Sequence, residues 1–202
     1  MAVDPASFTR AMSRIPCPVT VATTLDAAGR NWGFTASSFS SLSLDPPLVL
    51  ICLGKAASTH AAFTATGRFM INILAEEHAG VARRFAAAGI DRFGAGDMEP
   101  CELGLPGLPD ALVRVACSMH GILDGGDHSI LVGRVEATHV SHRTPLVYCD
   151  RSFAAPRRPR AARESLAARG APGARAHADP GGPPRSGKES ELSCVSLSTR
   201  TA

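Results

Sequence analysis

Short runs of apolar and β-branched residues, separated by turn-forming residues, occupy most of this chain and limit what it can fold into. Runs of strand length in which apolar and polar residues alternate are typical of half-buried strands, and the clearest lies at 113–119. Only two or three helices are predicted beside the strands, at 1–14, 58–66 and 76–88. The fold class is therefore mainly β with a few helices, a closed antiparallel sheet that forms a small barrel. Seven or eight strands are predicted, at 19–25, 31–36, 39–44, 48–53, 69–74, 113–119, 129–140 and 146–149.

The composition changes abruptly after Phe153. Residues 1–153 carry 12 Lys and Arg against 14 Asp and Glu, whereas residues 154–202 carry 9 against 4. The second part is rich in Pro, Gly, Ala and Arg and cannot bury enough apolar surface to offset the entropy of ordering. We therefore expect one folded domain at 1–153 and a disordered basic tail at 154–202. An alternative reading frame of a GC-rich gene encodes such a composition; a genuine regulatory or targeting extension is the other interpretation.

Several classes of protein are disfavoured by the composition. The chain has no run of ~20 apolar residues, so no segment is expected to span a membrane. The N-terminus lacks the basic start and apolar core of a secretory signal, and the expected location is the cytoplasm. The six cysteines show no CxxC pair, which argues against a disulfide or zinc framework. His139 and His142 have the spacing of metal ligands but no suitable third ligand nearby, so no metal site is predicted.

Polar groups cluster where three of the predicted strands begin or end. Serines and threonines crowd 35–43, Lys55 and Ser58 follow a later strand, and His128 precedes the last long strand. Hydroxyls and free backbone N–H groups near a sheet edge suit a phosphorylated planar ligand, because they donate hydrogen bonds without burying a charge. Ser58 is also expected to cap a helix, whose N-terminus favours an anion. Each feature alone also has an ordinary interpretation: a polar sheet face, a solvated lysine or a turn.

Seven short motifs occur in order along the chain: GFTASSFSSLSLDPPLVLICL, STHAAF, RFMINIL, ARRFA, DRF, GDHSILVGRVEA and PLVY. Together they resemble the short-chain flavin reductases, the flavin reductase-like domains that supply reduced flavin to two-component monooxygenases. The resemblance covers roughly residues 8–153, and the shared order makes it specific although each motif is weak alone. It implies an FMN-binding split β-barrel, usually a homodimer, that transfers a hydride from NADH or NADPH to FMN or FAD.

The resemblance also assigns roles by position. One group of residues would contact the isoalloxazine edge and the ribityl chain, a second would lie near the ring, and a third would bind the phosphate. His128 would be the catalytic histidine beside the nicotinamide and the flavin. Because the flavin carries the chemistry, the protein would orient nicotinamide C4 over flavin N5 and needs no general acid for the hydride step. The three groups are Thr35, Ala36, Ser37, Ser38 and Phe39; then Cys52, Leu53 and Gly54; then Lys55, Ser58 and Thr59.

Two other functions remain open from the sequence. A non-catalytic flavoprotein would hold FMN for electron transfer or storage. A nucleic-acid-binding protein would use the arginine-rich tail, but that tail has no interleaved aromatic residues and the body is net acidic, so no nucleic acid is expected as a partner.

Several residues outside the motif roles are expected to be structural. Asn72 is expected to bond a neighbouring turn, and Arg83 and Arg84 are expected to be surface charges of a helix. Phe85 and Phe93 are expected to form core or a lid over the flavin ring.

Overall fold

The computed structural model describes residues 3–156 and shows a mainly β fold. The predicted disordered tail, from position 157 onward, lies outside the described residues. The helices of the described part are α1 (Pro5–Ser13), α2 (His60–Ala65) and α3 (Ala79–Ala86), with single 3-10 turns at Glu76–His78 and Glu102–Gly104. Its strands are β1 (Cys17–Pro18), β2 (Thr20–Leu25), β3 (Asn31–Ala36), β4 (Ser40–Ser43), β5 (Leu48–Gly54), β6 (Arg68–Ile73), β7 (Glu99–Pro100), β8 (Pro106–Gly107), β9 (Val113–Gly125), β10 (His128–Val140), β11 (Val147–Cys149) and β12 (Ser152–Ala154).

Seven of these strands form one antiparallel sheet in the order β3-β2-β6-β9-β10-β5-β4. The two edge strands, β3 and β4, are not paired with each other in this sheet, but β3 and β5 lie close together without a ladder between them. The sheet therefore curls without closing. The predicted barrel is a split barrel, and the expectation of a fully closed sheet was wrong because hydrogen bonding does not join its two ends.

Alternate residues of nearly every strand fill the interior of the curled sheet. Along β5, Val49, Ile51 and Leu53 are buried in this core, while the residues between them are half-buried, as the period of two requires. Phe63 of α2 closes the interior and packs edge-on against Phe34, with the ring centroids 4.9 Å apart. The core thus binds α2 to the sheet through one aromatic side chain.

The strand predicted at 48–53 is a continuous apolar run, which is typical of a central strand, but it does not lie at the centre of the sheet. It forms β5, which lies next to the edge strand β4 and is buried on one face only. Leu50 and Cys52 therefore point away from the core and stay half-buried. β4 itself is mostly exposed and shorter than the half-buried strand predicted at 39–44.

The part of the outer face that β2 and β3 form is covered by α3 and the segments around it. Phe85 of α3 is fully buried there and packs edge-on against Phe93 at a centroid distance of 5.1 Å. Gly33 on β3 is required at this contact, because a β-carbon there would lie 2.8 Å from the Phe85 ring. Buried Asn72 bonds a carbonyl of β2 at 3.0 Å and the amide of Leu108 at 2.8 Å, which confirms its predicted structural role.

The first two helices differ from the sequence-based predictions in their extent and burial. Asp4 caps α1, and none of the α1 residues is buried, so the apolar side chain of Phe8 stays exposed. The predicted capping role of Ser58 is wrong, because the N-cap of the shorter helix α2 is Thr59. The helix N-terminus that was expected to favour an anion is therefore not at Ser58, and the helix that forms has only six residues.

The segment predicted as one helix at 76–88 divides into a 3-10 turn and α3. Arg84 is not a surface charge, because its guanidinium donates to Asp97 and to the carbonyl oxygen of Arg92. Arg83 is exposed and lies over the Phe153 ring at 5.1 Å. β12 pairs with β11 and continues to Ala154, one residue beyond the predicted boundary of the folded domain.

β9 and β10 form a long hairpin of 13 residues in each strand. The turn between them contains Gly126 with a φ of +78°, a conformation that glycine adopts without steric cost. β10 begins at His128, one residue earlier than predicted. The hairpin therefore brings His128 directly opposite Gly54 at the end of β5.

Candidate functional site

The three chain segments assigned to the flavin lie next to each other. Ser38, which follows β3, accepts a hydrogen bond from the backbone N–H of Cys52 on β5 at 2.8 Å. The backbone N–H of Lys55, just beyond β5, donates to the carbonyl of Asp127 in the hairpin turn at 2.9 Å. The register pairs Gly54 with His128. Segments that are far apart in the chain are thus fixed side by side through β5.

The hydroxyls of the first segment have partners inside the protein. Thr35 donates to the carbonyl oxygen of Ala82 on α3 at 2.7 Å, and the buried Ser38 hydroxyl bonds the backbone of Cys52. These two hydroxyls hold the segment in position and are not available as ligand donors in this arrangement. Ala36 and Phe39 are half-buried and pack against the inner core. What the segment can offer a ligand is a fixed backbone and the surface of these side chains.

The residues predicted near the ring divide between the two faces of β5. Leu53 is buried in the inner core, so only its backbone can contact a ligand. Cys52 and Gly54 point to the opposite face and are half-buried. A β-carbon at Gly54 would lie 3.7 Å from Nε2 of His128, which places the imidazole beside this strand end.

His128 has a defined orientation. Its Nδ1 lies 2.9 Å from Oδ1 of Asp127, and its side chain is 25% exposed. A carboxylate at Nδ1 favours the tautomer with the proton on that nitrogen, which leaves Nε2 as an acceptor. The ring can therefore accept a hydrogen bond from an amide, or present a polar face, at the end of β5.

Lys55 is engaged in an ion pair with Asp124 across the hairpin. The hydrogen bond from Lys55 is the main reason that the pKa of Asp124 is lowered from its ordinary value. Both side chains are well exposed, at 44% and 77%, so solvent screens the pair and it contributes little to stability. A phosphate could replace Asp124 as the partner of Lys55 at little energetic cost.

Ser58 and Thr59 lie in a cleft of about 710 Å³, a size usual for nucleotide-sized ligands. The cleft is also lined by Arg30, just before β3, by Trp32 on β3 and by the loop at 89–93. The Oγ1 atom of Thr59 is buried and has no hydrogen-bond partner. A buried hydroxyl without a partner is destabilising unless a ligand or water satisfies it, so this atom fits a bound polar group.

Arg92, for which no role was predicted from the sequence, forms part of the cleft wall. Its guanidinium donates to the carbonyl of Ala87 at 2.8 and 3.0 Å and to that of Gly33 at 2.7 Å. Burial lowers the pKa of Arg92 from its ordinary value. The DRF motif contains Arg92 and was the sequence signal that could have pointed to a role for it. A motif alone does not show that the arginine side chain lines this cleft.

No group of three or more His, Cys, Asp and Glu side chains suited to a metal ion occurs within residues 3–156. Over the same residues, none of the helices has the length and apolar character needed to cross a membrane.

The fold and the cleft define a class of protein: small antiparallel β domains with a ligand-sized cleft beside the edge of a curled sheet. Residues 12–157 match the flavin reductase like domain, and the chain belongs to that family. The family resemblance stated from the motifs is thereby confirmed, as is the split-barrel fold.

Individual relatives agree with this assignment. The chain is 40% identical over 156 residues to an actinorhodin polyketide dimerase of Streptomyces coelicolor, covering 77% of this chain and 88% of that protein. It is 43% identical over 162 residues to an NADH:riboflavin 5'-phosphate oxidoreductase of Streptomyces pristinaespiralis, covering 77% and 90%. Among solved structures it is similar to an NADH:FAD oxidoreductase of Streptomyces globisporus in complex with NAD and FAD fragments. That match has a TM-score of 0.73 and 34% identity and covers 80% of this chain and 99% of the other.

Proposed function

We propose that this protein is an NAD(P)H:flavin oxidoreductase that reduces FMN or FAD and supplies the reduced flavin to a partner monooxygenase. The observation that carries the proposal is the family match over residues 12–157, together with relatives named as NADH-dependent flavin oxidoreductases. A relative in Rhodococcus jostii, 37% identical, is named as the reductase subunit of a flavin-dependent monooxygenase. Because NADH and NADPH are intracellular metabolites, we place the reaction in the cytoplasm.

The site is suited to a phosphorylated flavin. The unpartnered hydroxyl of Thr59 and the cationic wall of the cleft match a phosphate group. Ser58, Thr59 and Lys55 would hold that phosphate, and the backbone at 36–39 and 52–54 would lie along the ring and ribityl chain. A bound flavin would supply the hydride acceptor: it would take two electrons and one proton together from C4 of the nicotinamide dinucleotide, and the dinucleotide would thereby be oxidised.

The chain's own residues bind and orient the two reactants. Ser38 fixes the segment at 36–39 against β5 through its hydrogen bond to Cys52, so the ring-contacting backbone is preorganised. His128, held by Asp127, would position the nicotinamide over the flavin and would not transfer a proton. Correct relative placement is the main contribution that a protein makes to such a transfer.

Exposed apolar residues support a homodimer. The outer face of β5 leaves Leu50 half-buried, and the adjacent edge strand region exposes Leu42 and Leu44 at 51% and 84%. The apolar side chain of Phe8 on α1 is exposed as well. Apolar surface of this kind is typical of an oligomer interface. Light scattering should give twice the chain mass, and a monomer mass would contradict this part of the proposal.

The central experiment is a matrix of steady-state assays. NADH and NADPH oxidation would be followed with FMN, FAD and riboflavin as acceptors. The proposal expects turnover of at least one nicotinamide donor with a flavin acceptor. If the protein binds FMN but the flavin absorbance does not bleach with either donor under anaerobic conditions, the non-catalytic flavoprotein is the correct interpretation.

The phosphate contacts have a separate test. Each charge-assisted hydrogen bond to a phosphate should contribute about 1.5–3 kcal/mol, so Lys55→Ala and Ser58→Ala should each weaken FMN binding. Flavin fluorescence gives the dissociation constants directly. An unchanged affinity in the double variant would remove both residues from the flavin site.

A further inference from the structure

We propose that His60 and Ser129 are positioning residues for the hydride transfer, and that the hydrogen bond between their side chains holds His128 in place relative to α2. The proposal rests on the proposed flavin reductase function and adds two residues to it. His60 is the first residue of α2, directly after Thr59, and Ser129 directly follows His128 on β10. The bond therefore joins the segment that would bind the flavin phosphate to the strand that would contact the nicotinamide.

The contact between the two side chains is direct. Nε2 of His60 lies 2.9 Å from the hydroxyl oxygen of Ser129, within the usual range for a hydrogen bond. A neutral imidazole can accept from the hydroxyl or donate to it, according to its tautomer. Ser129 is only 6% exposed, whereas His60 is half-buried. Because a buried hydroxyl that loses its partner is destabilising, this pairing is favoured in the folded protein.

The two neighbouring residues of β10 point to opposite faces of the strand, as the period of two requires. Ser129 faces the interior, as do Leu131, two positions further on, and its register partner Leu53. His128 lies on the other face, beside Gly54. A bond on the inner face can thus hold the strand without occupying the face on which the imidazole of His128 would act.

The start of β10 needs such an anchor. It follows the exposed hairpin end, which contains Gly125 and Gly126, and glycine is the residue with the greatest backbone freedom. Asp127 orients the ring of His128, but Asp127 itself lies in this exposed turn and is bonded to the amide of Lys55 through its carbonyl. The position of the oriented histidine therefore depends on what fixes β10.

The helix at the other end of the bond is itself firmly attached. Phe63, three residues after His60, is fully buried in the inner core. Thr66, at the end of the helix, accepts a hydrogen bond from Thr24 of β2 at 3.1 Å. These contacts fix the middle and the end of α2 to the sheet. His60 adds a contact at the beginning of α2, and this contact reaches the strand of His128.

A transfer between two bound reactants slows steeply when one of them is misplaced. Without the bond, the start of β10 could shift relative to the flavin-binding segment, and the nicotinamide would be held over the flavin less often. We expect kcat/KM for the nicotinamide donor to fall about tenfold, equivalent to about 1.4 kcal/mol.

Two matched pairs of variants test the bond. Ser129→Val and Ser129→Thr have nearly the same shape, but only the second keeps a hydroxyl. His60→Leu and His60→Gln differ likewise in whether a hydrogen-bonding group remains. At saturating FMN, Ser129→Val and His60→Leu should each lower kcat/KM about tenfold, whereas the other two should stay within about threefold of wild type. Because His60 is half-buried, His60→Leu carries the test if Ser129→Val does not fold.

The action through His128 has its own test. In a His128→Ala background the nicotinamide contact is already lost, so adding Ser129→Val should cause no further fall in kcat/KM. The double variant His60→Leu/Ser129→Val should be no worse than either single variant, as expected for two residues that share one interaction. In the flavin-free protein, amide hydrogen exchange measured by mass spectrometry should become faster at 124–130 in Ser129→Val.

Thr64→Val is the matched control. Thr64 lies on the same helix, and its hydroxyl bonds the carbonyl oxygens of His60 and Ala61 at 3.0 and 3.2 Å. The substitution removes a hydroxyl from α2 and leaves the bond to β10 in place. It should change neither kcat/KM nor the exchange at 124–130.

The proposal is overturned if Ser129→Val and Ser129→Thr lose the same activity, if Ser129→Val lowers kcat/KM further in the His128→Ala background, or if the exchange at 124–130 is unchanged. A wild-type protein that reduces no flavin with NADH or NADPH would refute the reductase function, and this proposal with it. An active wild type whose kcat/KM is unaffected by His60→Leu and Ser129→Val would refute this proposal alone.

Discussion

Replacing Phe63 with alanine should destabilise the fold and loosen the candidate site at the same time. Phe63 is fully buried and is the one side chain of α2 that enters the inner core. α2 has only six residues, far fewer than an isolated helix needs for stability in water, so packing holds it in place. Because Thr59 lies immediately before α2, a loosened helix would also displace the proposed phosphate contacts.

The expected magnitude follows from the burial of the ring. A phenylalanine buries about 150–250 Å², and at about 25 cal/mol per Å² this corresponds to about 4–6 kcal/mol. Partial relaxation and the residual cavity bring the usual cost of such a substitution to about 3–5 kcal/mol. For a domain of this size, that loss of unfolding free energy lowers the melting temperature by about 6–20 °C.

Urea and thermal unfolding, followed by circular dichroism, would measure the loss, and fluorescence titration would measure FMN affinity. Phe63→Leu should lose less because it leaves a smaller cavity. Val140→Ala is the control, since Val140 is 68% exposed and should change stability by no more than about 0.5 kcal/mol. A loss below about 1 kcal/mol for Phe63→Ala would refute the reasoning that this ring anchors α2.

Four other outcomes are expected. His128→Ala should lower kcat/KM for the nicotinamide donor about tenfold or more, about 1.4 kcal/mol of positioning energy, with little change in FMN affinity; stopped-flow reduction of bound flavin measures it. Ser38→Ala should lower the free energy of unfolding by about 1–3 kcal/mol, because it removes the acceptor of a β5 amide; urea unfolding tests this, and a neutral effect would show that this hydrogen bond does not hold the segment against β5. The hydrogen bond to Arg114 is the main cause that lowers the pKa of Glu102 below its ordinary 4.5, so this pair stabilises the fold above that pH and the contribution is lost as the pH falls through the lowered value. The free energy of unfolding of the wild type should therefore exceed that of Glu102→Gln by about 1.5–3 kcal/mol at neutral pH. This difference should become smaller as the pH is lowered in acid unfolding titrations. Truncation after Pro156 should leave NADH oxidation and the melting temperature unchanged, and an active full-length chain beside an inactive, folded truncation would show that the tail takes part.

Much of the candidate site could be located from the sequence, but the sequence could not show which of its atoms are free to contact a ligand. The motifs correctly indicated that the ends of β3 and β5 and the start of β10 meet. They did not reveal that the Thr35 hydroxyl is bonded to Ala82 or that Leu53 faces the core. A motif identifies positions, whereas the direction and partner of each side chain depend on which elements pack against it.

The sequence by itself determined the local features of this protein. The alternation along β9, the glycine in the β9–β10 turn and the compositional break after Phe153 all depend on residues close together in the chain. Periodicity and turn preference are properties of short segments, so these features could be read without a structure.

Only the tertiary structure decided where the half-buried guanidinium of Arg92 and the unpartnered hydroxyl of Thr59 lie. Arg92 is bonded to Gly33, 59 positions away, and Thr59 faces the same cleft from another element. Neither group leaves a periodic signal in the sequence. The hydrogen-bond partners of Arg92, and the lack of one at Thr59, are set only when the sheet curls and brings distant segments together. The sheet order likewise put β5 beside the edge strand rather than at the centre, since apolar content reports that a strand is buried but not which strands flank it.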